Sequence, residues 1–183
     1  MKLRNILILL LIFLVLGGFY YFYINKPEPT PPPPTQLYIW LIEMDEIEHI
    51  EIALPREGKS QVFIKESDRS WHFDDSGRTG VDMVRWGGGI PLLLSGPSTS
   101  RVISENTSDE KLAEFGIADP QMKVTLTLDS GRVLEITVGD STPDGVNYYV
   151  LVPSSRDVAL VDYTWFDVLA RLVTEPPYPV PET

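Results

Sequence analysis

The sequence predicts an α+β protein: one N-terminal transmembrane helix, then an antiparallel β-rich domain of two similar strand-strand-strand-helix halves. Three observations carry this. Residues 6–24 form an uncharged run of 19 residues. Short stretches of alternating apolar and polar residues recur after residue 36, separated by turn residues. Helical patterns are few and follow groups of strands, as in proteins whose helices pack on one face of an antiparallel sheet.

The uncharged run, Ile6–Ile24, is about 28 Å long as a helix, close to the ~30 Å hydrocarbon core of a bilayer. Lys2 and Arg4 precede it, which predicts a cytoplasmic start. Phe19, Tyr20, Tyr21, Phe22 and Tyr23 crowd its far end, where an aromatic belt would sit. A cleaved secretory signal shares the basic start, but the run exceeds the usual apolar stretch of about 7–15 residues and no A-x-A-like site follows. Residues 1–25 are therefore read as a short cytoplasmic start and a single-pass membrane anchor. The main domain is expected to be periplasmic or extracellular.

Residues 26–36 read as a linker, since KPEPTPPPPT holds six prolines in ten residues and favours extended polyproline II. Residues 37–174 are the extracytoplasmic domain. Residues 175–183, EPPYPVPET, hold four more prolines and form a tail, either loose or strapped against a neighbouring protein.

Within the domain, Leu37–Glu43, Ile50–Leu54, Gln61–Lys65 and Ser70–Phe73 are predicted strands, with residues 66–69 a turn. Asp82–Leu94 is a helix that Gly87-Gly88-Gly89 and Pro91 should break. Residues 108–115 make a short helix capped by Ser108 or Asp109 and closed by Gly116. Met122–Leu128 and Val133–Val138 alternate around Asp129-Ser130-Gly131, a hairpin signal. Asn147–Val152 and Asp157–Val161 form a further pair. Tyr163–Val173 places Trp165, Phe166, Leu169 and Leu172 on one helical face.

Composition excludes several functions. The 183 residues contain no cysteine, so disulfides, thiolate chemistry and Cys-zinc or iron–sulfur sites are absent. The net charge is −11, and from Gln36 onward 12 basic residues face 25 acidic ones, a net of −13. Such a surface repels nucleic acid, which is not expected as a partner.

One ordered set of residues stands out. Leu112, Phe115-Gly116-Ile117 and Asp119-Pro120 lead into an alternating strand. Asp129-Ser130-Gly131, Gly139-Asp140, Thr142-Pro143, Gly145 and Tyr149-Val150 follow. Upstream, Trp71 precedes an acidic turn and Val81-Asp82 opens a helix. The stretch from about residue 50 to 173 resembles the family called domain of unknown function 4340. The resemblance implies a bacterial envelope protein with an N-terminal membrane helix, some members being associated with transport or gliding machinery. It implies no catalytic residues.

The remaining candidate motifs have ordinary explanations. Residues 139–145 read as a turn rather than an ion-binding loop. Asp74-Asp75-Ser76-Gly77 with Asp82 lacks calcium-loop spacing. Asp45, Glu46, Glu48, His49 and Glu51 read as a solvated edge, and Gly87-Gly88-Gly89 lacks phosphate-loop spacing. Neither histidine has an evident nucleophile, and Tyr148, Tyr149, Trp165 and Phe166 read as core. No catalytic, cofactor-binding or metal-ligating residue is assigned, and no cofactor is expected. The sequence points to a non-enzymatic, membrane-anchored accessory or scaffold subunit of a larger envelope complex, whether transport, respiratory or photosynthetic. Its expected partners are membrane lipid, through Ile6–Ile24, and other membrane-protein subunits. The alternative is an extracytoplasmic ligand- or cation-binding module.

Overall fold

The computed structural model describes residues 3–24, 37–87 and 89–180. It divides into two units, residues 1–35 and 36–183. The predicted linker, 26–36, lies outside the described residues except for its place in the chain, as does Gly88.

The first unit contains one helix, α1 (Leu3–Ile24). The predicted transmembrane helix is corrected here: among the described residues, no helix is long and apolar enough to cross a membrane. The physical reason lies in the composition of the run. The part of it before Gly17-Gly18, residues 6–16, rises only about 16 Å at 1.5 Å per residue, roughly half the hydrocarbon thickness. Beyond it come Gly17-Gly18 and three tyrosines, whose hydroxyls favour an interface.

The second unit is built on strands β1 (Leu37–Tyr38), β2 (Ile47–Leu54), β3 (Lys59–Lys65), β4 (Trp71–Phe73), β5 (Ser98–Thr99), β6 (Val102–Ser104), β7 (Met122–Leu128), β8 (Val133–Ser141), β9 (Asn147–Leu151) and β10 (Val158–Asp162). Its helices are α2 (Met83–Trp86), α3 (Ile90–Ser95), α4 (Asp109–Glu114) and α5 (Tyr163–Thr174). Eight strands form one sheet in the order β4-β3-β2-β7-β8-β9-β10-β6. Every pairing in it is antiparallel. Both edge strands are three residues long, which leaves little unpaired backbone to recruit another sheet.

The two halves meet at the centre of this sheet, where β2 pairs with β7. They are less alike than predicted. The first half ends in two short helices, because Gly87 adopts a left-handed conformation (φ 71°) and stops α2. The second half has four strands before its helix, and β5, β6 and α4 have no counterpart in the first half. Predicted strand Leu37–Glu43 also shortens to two residues. The segment beyond Tyr38 follows α3 instead, with the Ile42 amide donating to Ser95 O and Trp40 Nε1 donating to Leu94 O.

Register explains the core. Ile50 faces both Phe63 and Leu126, Leu126 faces Leu134, and Val124 faces Ile136. Val138, Val150 and Ala159 continue the row across β8, β9 and β10. Helix α5 packs on this face through Trp165, Leu169 and Leu172. Burying such side chains stabilises by roughly 1.5–3 kcal/mol each.

Asp162 caps α5, its Oδ1 accepting from the Thr164 amide at 2.8 Å and from the Thr164 hydroxyl. These bonds, the hydroxyl's foremost, hold the Asp162 carboxyl below its ordinary range. A lowered folded-state pKa stabilises above the ordinary carboxylate range, and the effect fades as pH falls through the lowered value. Asp162→Ala should therefore cost about 1 kcal/mol at neutral pH. In urea unfolding at stepped pH, the gap to the parent chain should narrow on acidification through the carboxylate range.

Candidate functional site

The residues with the clearest pattern, 112–120 and 139–140, assemble into one clasp. Helix α4 ends at Phe115, and Gly116 turns left-handed (φ 71°) so that the Ile117 amide can donate back to Leu112 O at 2.9 Å. Ile117 is thereby buried, and Phe115 packs on Tyr149 with ring centroids 4.7 Å apart. The turn lies directly against β8. A Cβ at Gly139 would sit 2.1 Å from Phe115 O, so glycine alone permits this approach. The Asp140 amide then donates to Phe115 O at 2.8 Å.

Asp140 extends the clasp to the first half. Its Oδ1 accepts from Arg56 Nη1 at 2.8 Å and from Gln121 Nε2 at 3.2 Å. Arg56 Nε donates to Asp119 O at 2.9 Å. One guanidinium thus ties a turn of the first half to both parts of the motif. All of these polar groups are spent on one another, which makes the arrangement structural. Arg56 went unnoticed in the sequence because 84 residues separate it from Asp140.

Most of the other candidates are likewise occupied, His49 Nδ1 and Trp165 Nε1 being buried without a partner. In the 139–145 loop, the Thr142 hydroxyl donates to Asp144, and the Val146 amide does so too at 3.2 Å. These bonds, the hydroxyl's first, lower the Asp144 pKa. Asp75 Oδ1 accepts from the Gly77 and Thr79 amides at 3.0 Å, and Asp74 pairs with Arg78 at 3.1 Å. In the acidic cluster, Asp45 pairs with Arg69 at 2.6 Å and Glu48 with Lys65 at 3.0 Å. Among the described residues, no group of three or more His, Asp or Glu is placed to hold a metal ion. Tyr148 stacks on Phe166 at 4.0 Å, and Trp165 is buried with its Nε1 unpartnered.

One juxtaposition corrects the sequence reading. Ser70 Oγ lies 2.8 Å from His72 Nε2, and His72 Nδ1 lies 2.6 Å from Arg78 O. A hydroxyl does therefore face one histidine, at the spacing that alternate residues of a strand provide. Ser70 Oγ, however, is also 2.5 Å from Asp68 Oδ1, which accepts from the Ser70 amide at 2.9 Å as well. The group ties a surface turn.

One open groove lies between α2–α3 and α5. It encloses about 500 Å³, with Trp86, Ile90, Leu93, Val168 and Leu172 as an apolar floor and Arg85, Arg171 and Glu175 at its rim. The tail borders it. Arg85 Nη2 donates to Glu175 O at 2.9 Å, and the Asp82 amide donates to Pro177 O at 2.8 Å. Tyr178 stacks on Phe73 at 4.0 Å and 16°. Residues 175–178 are thus strapped against their own domain, and 181–183 lie outside the described residues.

Residues 94–175 match the family model described as Domain of unknown function (DUF4340). The match is shorter than the stretch that resembles the family by eye, and it takes in the clasp except for Arg56. No curated protein and no solved structure matches the chain.

Proposed function

Because residues 94–175 match the DUF4340 family model, a family that assigns no chemistry, we propose a function from the surfaces of the chain. It is a non-enzymatic accessory subunit of a larger envelope assembly, held by lipid around α1 and presenting its β-rich domain to other subunits. The observation that carries this reading is the surface of α1. Leu11, Phe13, Leu14, Val15, Leu16 and Phe19 are between 63% and 77% exposed, an apolar surface that favours contact with an apolar partner over water. Lipid at the membrane interface is the partner proposed for it. The acidic domain supports the division of labour, since a net of −13 repels anionic headgroups and favours contact with protein. Mixing the full chain with phospholipid vesicles and floating them on a density gradient tests the lipid contact. The chain should rise with the vesicles; recovery at the bottom would contradict it.

A further inference from the structure

The groove beside the tail shows what it can read. The segment Glu175–Tyr178 lies along its margin with two backbone carbonyls captured by donors, one proline ring buried and one tyrosine ring stacked on a core phenylalanine. Those are the features by which aromatic-lined grooves bind proline-rich segments, whose extended form is already ordered before binding. The open floor continues the same surface. Trp86, Ile90, Leu93, Val168 and Leu172 line it, and Val84 beside it is 90% exposed. Its volume of about 500 Å³ falls within the range of sites that enclose a ligand.

Charge narrows the occupant. In a domain with 25 acids and 12 bases, two arginines converge on one rim against a single carboxylate, Glu175. Arg171 shares its guanidinium with Asp167 at 2.8 Å, whereas Arg85 spends only one Nη2 contact, on a backbone carbonyl. An arginine carries five donors, so most of Arg85 remains for a ligand. We infer that this groove is a docking site for a proline-rich peptide segment bearing a carboxylate, of the kind the chain's own tail displays. The inference rests on the accessory-subunit reading and names the class of partner.

The test uses the full chain and a labelled synthetic peptide of the sequence EPPYPVPET, followed by fluorescence anisotropy. Saturable binding is expected, at least tenfold weaker for a peptide with alanine at every proline. It should also weaken at least tenfold in the Arg85→Glu, Arg171→Glu double variant, or in Val168→Glu should that variant misfold. No saturation, or equal binding of the alanine peptide, overturns the inference. So does a self-associated chain that the peptide fails to dissociate, since a second copy would then occupy the floor. Failure of the peptide leaves association with a larger assembly untouched, so the two readings fail separately.

Discussion

Gly139→Ala should destabilise the folded domain by about 3 kcal/mol, lowering its melting temperature by roughly 6–12 °C. The added methyl would stand 2.1 Å from Phe115 O and 3.0 Å from Gly116 C and Ile117 N. All three are backbone atoms, so no side chain can rotate aside. Either β8 bends away or the turn after α4 lifts, and both separate Asp140 from the Phe115 carbonyl that its amide now reaches. Ile117 and Phe115 would lose their packing with it. Calorimetry of the full chain reads the effect. A shift below about 2 °C would mean that the turn is free to move, and the clasp would then not be the feature that joins the motif's two parts.

Leu11→Asp combined with Leu14→Asp should abolish vesicle binding. Each substitution removes a leucine's apolar contact with lipid, about 2 kcal/mol, so the pair costs ~4 kcal/mol, or roughly a thousandfold in partitioning. Both residues lie in the part of α1 before Gly17-Gly18 and are 67% and 70% exposed. The second unit is compact by itself, so the melting of the β-rich domain should not change. Flotation of the double variant at parental levels would leave α1 without the role proposed for it.

Much of the sheet was legible because its cause is local. In β2, β7 and β8 the side-chain alternation is the burial pattern, and Gly116 and Pro120 mark a helix end and a strand entry. Where the cause is distant, the residues gave no signal. Leu37–Glu43 looks like a strand by composition, yet beyond Tyr38 its backbone partners are Pro97 and Ser95, so it follows α3. β6 is too short to show a period and exists because β10 pairs with it. The tail's four prolines correctly ruled out helix and sheet, but only the position of Phe73 reveals that Tyr178 has a ring to stack on. For α1, the absence of charge was clear. The membrane-spanning reading rests on the whole uncharged run, although only residues 6–16 precede Gly17-Gly18 and the tyrosines. As for the site, the motif's glycines were understood one turn at a time, while Arg56, which unites them, could be recognised only once the two halves were side by side.

The central claim is that this chain works as part of a larger assembly. Gentle detergent extraction of native membranes, size separation and identification of the co-migrating proteins tests it most directly. The account predicts a stoichiometric partner set in a fraction well above the 20.6 kDa of the chain alone. Migration as a lone monomer, under conditions that keep other membrane complexes intact, would contradict it.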